Sequence, residues 1–205
     1  ARDIARVEMP AARYHAAVIT TARALPPLER AKANGFDITA GTSMHHLTLN
    51  ELDVADYRTF FKVKPPLRSE DDRLAVVQAV ADGLIDIICS MHTPQDEESK
   101  RLPYEEAASG AVGLETLLPA ALRLYHAEQI DLPRLFRALS LNPSKLLGLA
   151  TGRLRPDAPA DLVLFDPGKP FVLDRTTLKS KSKNTPFDGR RMQGVVLRTF
   201  LAGRE

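Results

Sequence analysis

The sequence predicts an α/β fold in which parallel strands alternate with helices, followed by a small β subdomain. Short apolar runs alternate with helix-like segments through residues 1–150, a pattern typical of βαβ units and a parallel sheet. Two of these apolar runs lead directly into histidine-containing loops. After residue 150 the pattern changes to short strand-like runs between Pro, Gly and Asp turns, which predicts a β subdomain over residues 151–205.

The composition is that of an ordinary globular protein and argues against several classes of function. With 28 basic and 26 acidic side chains the net charge is +2, so we expect no nucleic-acid partner. No apolar run approaches the roughly 20 residues that a membrane-spanning helix needs. The single cysteine, Cys89, excludes an internal disulfide and favours a reducing, cytoplasmic location.

The predicted elements follow in a regular order. Residues 3–9 have the pattern of the middle of a helix, so we expect further sequence before Ala1. Apolar runs predict four strands, at 14–20, 36–42, 60–63 and 84–89. Between the last two runs, Ser69 and Asp72 resemble a capping box, and Gly83 marks the end of the helix that follows.

The region beyond the fourth predicted strand contains a long connection, two helices and then short strands. Residues 96–109 are polar and too long for an idle loop in a compact domain. Helices are predicted over 114–126 and 132–139, with a short one from Asn142. The C-terminal strands are predicted at 152–154, 160–166 and 194–201.

Four βα units amount to half of a parallel β/α barrel. Barrels of this kind build their sites from the loops at the carboxyl ends of the strands, where this sequence places its histidines. Half a barrel leaves unpaired sheet edges. We therefore expect the upstream half of the same barrel, or self-association, to cover those edges.

Three motifs occur along the chain in a characteristic order and spacing. They are Pro65-Pro66-Leu67-Arg68 with the adjoining 69–73, Gly113-Leu114-Glu115-Thr116, and Ser182-Lys183-Asn184-Thr185-Pro186-Phe187. Together they make the chain resemble the second half of the dihydroorotases, cyclic amidohydrolases of the metal-dependent hydrolase superfamily. The resemblance implies strands 5–8 of a TIM-type (β/α)8 barrel over residues 1–150, with the β subdomain over 151–205.

The resemblance also implies a zinc site at the strand ends. In that family a His-x-His pair on the first strand and a bridging residue on the fourth would both precede Ala1. Single histidines on the fifth and sixth strands and an aspartate on the eighth complete the set. The aspartate also acts as general base toward the attacking water, which needs activation because free water is a poor nucleophile near neutral pH.

One of the expected ligands in this segment is matched and two are not. His45 stands at the sixth-strand ligand position, within a His-His-Leu triplet. Val18 stands where the family has the fifth-strand histidine, and its side chain offers no lone pair. Met91 stands at the aspartate position, and a thioether neither accepts a proton nor suits zinc among imidazole and oxygen ligands. Asp86 lies five residues earlier in the strand, so we predict no catalytic residue in this chain.

Two positions that would contact substrate in the family are also changed. Lys64 replaces the usual asparagine before Pro-Pro-Leu-Arg, and Gln95 replaces the histidine after the eighth-strand proline. We keep both as predicted substrate-binding positions, altered from the family pattern.

Each histidine and the cysteine also has a structural interpretation. His45 and His46 are either a metal-ligand pair or a hydrogen-bonded core histidine beside a surface one. We interpret His15 and His92 as structural and Cys89 as a small buried apolar residue. Arg68 is expected to anchor loop carbonyls rather than substrate.

The sequence leaves two functions open. The first is a catalytically silent, dihydroorotase-like protein of pyrimidine biosynthesis that acts as a scaffold or regulatory subunit, for example with aspartate transcarbamoylase, as some members of the resembled family do. The second is an active zinc-dependent dihydroorotase, or a related enzyme opening a cyclic ureide such as a hydantoin, completed by upstream ligands.

Overall fold

A computed structural model describes residues 12–205, and the helix expected around residues 3–9 lies outside them. The fold is mixed α/β. Three short strands, β1 (Tyr14–Ala16), β2 (Ile38–Ser43) and β3 (Ile87–Cys89), form a parallel sheet in that order. Tyr14 pairs with Ile38, and Gly41 pairs with Ile87. All three strands therefore end at the same edge, as the βαβ pattern predicts.

Helices connect and cover these strands. They are α1 (Leu25–Ala33), α2 (Met44–Thr48), α3 (Glu70–Asp82), α4 (Glu97–Arg101), α5 (Leu117–His126), α6 (Leu132–Phe136) and α7 (Asn142–Leu146). A π-helical turn at Arg137–Leu141 joins α6 to α7, and 3-10 turns lie at Ala22–Ala24, Glu51–Val54, Thr59–Phe61 and Arg175–Thr177. No helix in the described part of the chain is long and apolar enough to cross a membrane.

Helix α3 confirms the predicted helix after Ser69. The Ser69 side chain caps it by accepting a hydrogen bond from the Asp72 backbone, and Gly83 ends it in the left-handed conformation that glycine adopts without strain. The second half of the expected capping box is absent. The Asp72 carboxylate instead accepts a 2.7 Å hydrogen bond from the backbone of Ala22, and so ties α3 to the segment after β1.

The strand predicted at 60–63 was wrong. Thr59–Phe61 forms a 3-10 turn, and Phe61 is buried in the core. The apolar character of this run therefore serves packing rather than strand pairing. Pro65 and Pro66 follow closely and have no N–H to donate, so the segment cannot enter the sheet, and β2 pairs directly with β3.

The C-terminal residues form a two-stranded antiparallel sheet from β4 (Leu162–Val172) and β5 (Arg191–Phe200). Its strands extend beyond the predicted runs, whereas the run at 152–154 is not a strand. Strand β5 packs closely on α5. Gly194 has φ of +103°, which other residues rarely adopt, and a Cβ there would lie 2.3 Å from the end of the Leu122 side chain, so glycine suits this position.

Candidate functional site

Helix α2 begins at the carboxyl end of β2 and carries the two adjacent histidines. The Ser43 side chain caps the helix by accepting a hydrogen bond from the His46 backbone. His45 is 0% exposed and His46 is 3% exposed. The alternative of a surface histidine beside a core one was therefore wrong, because the Pro65-Pro66 segment packs over the His46 ring and bonds to it.

His46 has partners on both ring nitrogens and holds two loops together. Its Nδ1 lies 2.8 Å from the Ser43 hydroxyl, and its Nε2 lies 3.0 Å from the carbonyl oxygen of Pro65 and 3.2 Å from that of Pro66. Burial lowers its pKa, while the two proline carbonyls oppose that shift. His46 therefore joins the end of β2 to the Pro-Pro motif.

His45 has neither ring nitrogen in a hydrogen bond among the described residues. Its ring stacks on Phe187 with the centroids 6.1 Å apart. Burial lowers the pKa of His45 to about 4, the neighbouring His46 lowers it further, and the backbone of Val112 opposes the shift. A neutral imidazole with free lone pairs is the form of histidine that ligates metals. Buried polar atoms are normally satisfied, so this side chain is chemically suited to receive a ligand.

Strand β3 ends in the loop that carries Met91. The Met91 backbone has φ of +46°, a left-handed conformation that Asp and Asn adopt more readily than other non-glycine residues. Its carbonyl accepts a 3.1 Å hydrogen bond from the Thr93 hydroxyl. The half-buried thioether brings no charge and accepts no proton, so it cannot act as a base.

The Gly113 motif holds this loop in place. His92 Nδ1 accepts hydrogen bonds from the backbone of Gly113 (3.1 Å) and Leu114 (3.4 Å), which confirms its structural role. A Cβ on Gly113 would lie 2.2 Å from the Ser90 carbonyl oxygen and 3.4 Å from the His45 ring. Gly113 is thus packed between the ends of β2 and β3, which brings these two predicted site segments close together.

Gln95 connects the β3 loop to the third sequence motif. Its side chain donates a 3.0 Å hydrogen bond to the Ser109 carbonyl, and its backbone N–H donates to the Asn184 side chain at 3.4 Å. Asn184 in turn donates to the Gly110 carbonyl at 3.0 Å. The Gln95 amide is therefore engaged with the protein itself, while Lys64 is exposed and makes no hydrogen bond among the described residues.

The remaining predicted positions lie around β1. Val18 follows β1, is half-buried, and presents only methyl groups. Arg68 Nε donates a 3.2 Å hydrogen bond to the Thr20 hydroxyl rather than to the loop carbonyls we expected. His15 lies 2.8 Å from the Thr39 hydroxyl, which agrees with its structural interpretation. The Asp86 carboxylate accepts from Lys32 and the Ala40 backbone, so it is already engaged inside the sheet.

Cys89 is half-buried rather than buried as predicted, and it is hydrogen-bonded within the sheet. Its thiol donates to the Thr42 carbonyl at 3.3 Å, and burial raises its pKa. Because the thiolate is the nucleophilic form, a raised pKa makes Cys89 unreactive near neutral pH.

Sequence reasoning missed Lys100, which lies in α4 within the long connection. The side chain is 2% exposed, and its ammonium donates to the carbonyls of Ala108 (2.7 Å), Thr59 (2.9 Å) and Lys62 (3.3 Å). Burial, followed by the charge of Lys62, lowers its pKa to about 8. The unusual length of 96–109 was the available signal, since a lysine in a Glu-Glu-Ser-Lys-Arg run otherwise suggests exposure.

The described residues do not by themselves form a zinc site. No cluster of three or more His, Cys, Asp or Glu side chains within residues 12–205 could hold a metal ion. Neutral His45 offers one nitrogen lone pair that suits zinc, but Val18 and Met91 contribute no suitable donor. The donor set of this segment therefore does not fit a complete zinc centre.

The fold and the strand-end arrangement are those of a known class of hydrolases. The profile of the amidohydrolase family matches residues 16–205, and the chain belongs to that family. Among curated proteins, the chain is 40% identical to a dihydroorotase of Wolbachia sp. subsp. Drosophila simulans over 204 residues. It is also 40% identical to a dihydroorotase of Desulforapulum autotrophicum over 203 residues.

These alignments cover 99% of this chain but 46% and 47% of the two relatives. The chain thus spans about half the length of the curated relatives it matches. Among solved structures, the L-hydantoinase (dihydropyrimidinase) from Arthrobacter aurescens superposes with a TM-score of 0.94 and 26% identity, covering 98% of this chain and 46% of that one. The resemblance to cyclic amidohydrolases drawn from the three motifs is confirmed.

Proposed function

We propose that this protein is a catalytically degenerate, dihydroorotase-like protein of de novo pyrimidine biosynthesis that acts as a non-catalytic scaffold or regulatory subunit. The observation that carries the proposal is Met91. It occupies the end of β3, where the family's aspartate would bind metal and accept a proton, and a thioether does neither. The protein would then work in the cytoplasm beside the active enzymes of the pathway.

The surrounding residues support a protein that lacks hydrolytic activity but keeps its strand-end loops in place. Val18 removes a second donor, and the Gln95 amide is hydrogen-bonded to the Ser109 carbonyl rather than free for substrate. The hydrogen bonds of His46, His92 and Asn184 nevertheless hold the strand-end loops together. A protein that keeps its loops fixed without its base is suited to binding rather than hydrolysis.

The partner that we propose is aspartate transcarbamoylase, the preceding enzyme of the pathway, with self-association as the other arrangement. The upstream half of the barrel would cover the open edges of the sheet. Large apolar side chains that are exposed on the segment after α2 and on the C-terminal sheet support a role in assembly. They are Leu52, Tyr57, Val163, Leu164, Val172 and Leu197.

The test is metal content and turnover measured in one sample. Purified protein, including any segment that precedes Ala1 in nature, would be assayed by elemental analysis and for dihydroorotate hydrolysis. Folded protein with little zinc and no turnover, which co-migrates with aspartate transcarbamoylase on gel filtration, is the expected result. Near-stoichiometric zinc with turnover would overturn the proposal.

The alternative is an active zinc-dependent cyclic amidohydrolase whose site is completed upstream of Ala1. The observation that favours it is His45, which keeps two unpartnered nitrogens in a buried position. His45 would hold the metal, which polarises the ring amide when bound, and a base from outside residues 12–205 would be required. Turnover of dihydroorotate supports a dihydroorotase, whereas turnover of a hydantoin alone would indicate changed specificity through Lys64 and Gln95.

A further inference from the structure

A cleft of about 370 Å³ lies apart from the strand-end residues discussed above. Its walls come from the end of α2, the turn after it, the start of α3, the end of α5 and the residue before β5. The lining residues are Leu47, Thr48, Asn50, Asp53, Glu70, Arg73, Arg123, Leu124, Ala127, Gln129 and Arg190. Val18, His45, Lys64, Met91 and Gln95 are not among them, so the cleft is a separate feature of the fold.

Two of the three arginines in this cleft are already neutralised. Arg73 forms a two-point ion pair with Glu70, at 2.5 and 2.7 Å, and donates to the Leu47 carbonyl. Arg190 forms an ion pair with Asp53 at 2.6 Å. These pairs consume both carboxylates that line the cleft.

Arg123 is the third arginine, and it has no carboxylate to itself. Among residues 12–205, its guanidinium makes neither an ion pair nor a hydrogen bond. Arg123 is exposed at the mouth of the cleft, and partial burial lowers its pKa, as do the charges of Arg190 and Arg73, with Asp53 opposing them. The cleft therefore carries one positive charge that no lining carboxylate balances. Its three arginines come from three separate parts of the chain.

The size and chemistry of the cleft define what would bind there. A volume of about 370 Å³ is within the usual range for small-molecule sites. A guanidinium offers parallel N–H donors that match the oxygens of phosphate or carboxylate. Thr48 and Asn50 also line the cleft, with side chains hydrogen-bonded to the protein, and Gln129 adds a further uncharged polar group.

We propose that this cleft binds a small molecule that carries an oxyanion, phosphate or carboxylate, with Arg123 as its principal contact. Arg73 and Arg190 keep their carboxylate partners, so the net positive charge of the site comes from Arg123. Because Leu47 and Thr48 belong to the helix that carries His45, the bound molecule would contact the same helix from its opposite end. The proposal stands whether or not the protein hydrolyses a cyclic amide.

The test is binding of inorganic phosphate, pyrophosphate and succinate by isothermal titration calorimetry at constant ionic strength. The variants are Arg123→Gln and, as a matched control, Arg137→Gln, which removes the same charge from an exposed arginine outside the cleft. We expect Arg123→Gln to weaken binding about tenfold or more, since charge-assisted hydrogen bonds are lost, and Arg137→Gln to leave it unchanged.

Each outcome decides the proposal. Tighter binding of phosphate or pyrophosphate than of succinate supports the site and assigns it to phosphorylated ligands, and the reverse order supports it with carboxylates. Equal weakening by both variants would mean a general charge effect and overturn the proposal. Absence of binding by all three probes to folded protein would overturn it as well.

Discussion

The ends of β2 and β3 lie on either side of Gly113 but differ in the side chains that they present. At the end of β2 the His45 imidazole is buried and unpartnered among the described residues, whereas His46 makes hydrogen bonds through both ring nitrogens. At the end of β3 the loop is fixed by His92 and the Gly113 backbone, yet residue 91 carries no acidic group. The contrast teaches that the loop at the end of β3 is held by hydrogen bonds that do not involve the side chain of residue 91.

The largest expected loss of stability comes from substituting Gly113, which packs against the ends of both β2 and β3. Gly113→Ala would place a Cβ 2.2 Å from the Ser90 carbonyl oxygen, so backbone must move, and we expect a loss of about 3 kcal/mol or more in the free energy of unfolding. Urea denaturation measures it. Gly168→Ala is the control, since its nearest neighbour would lie at 3.7 Å, and an equal loss there would contradict the close packing at Gly113.

We expect a fall in pH to reduce the free energy of unfolding most strongly through His45, at the end of β2. The pKa of His45 is about 4 in the folded protein against about 6.5 when unfolded. The unfolded chain therefore takes up the proton first. The stability from neutral His45 is complete above pH 6.5 and is lost as the pH falls from there toward 4, a loss on the order of 3 kcal/mol. Denaturation midpoints between pH 8 and 4 measure it, and a His45→Leu variant with an equally steep loss would refute the assignment.

Single substitutions of His45 and His46 distinguish the contribution of each histidine to stability. His46→Leu would leave the carbonyls of Pro65 and Pro66 without their imidazole partner and remove the contact between the ring and the Ser43 hydroxyl, and we expect a cost of about 2 kcal/mol. His45→Leu removes no hydrogen bond, so its cost in unfolding free energy should be clearly smaller. Equal costs for the two variants would remove the distinction between a positioning histidine and an unpartnered one.

The smallest effect is expected at residue 91. Met91→Asp should change the free energy of unfolding by less than about 1 kcal/mol, because the loop is held by other residues and its φ of +46° suits Asp well. Met91→Asn, which has the same shape without the charge, is the matched control. A large loss in both variants would show that the thioether itself stabilises the loop.

The sequence by itself determined the family, the alternation of strands and helices, and the poor donors at positions 18 and 91. Those features depend on residue type, order and local spacing, as does the Ser69 cap of α3. The apolar run at 60–63 shows the limit of such reasoning, because an apolar pattern indicates burial without distinguishing a strand from a turn that packs in the core.

Only the tertiary structure decided which groups have partners. His46 meets Pro65 and Pro66 about 20 residues later, Lys100 meets Thr59 and Ala108, and Arg190 meets Asp53 across 137 positions. Hydrogen bonds and ion pairs act over a few ångströms, whichever positions of the chain supply the two groups. The free nitrogens of His45 and the unpaired charge of Arg123 therefore emerge only once the chain is folded.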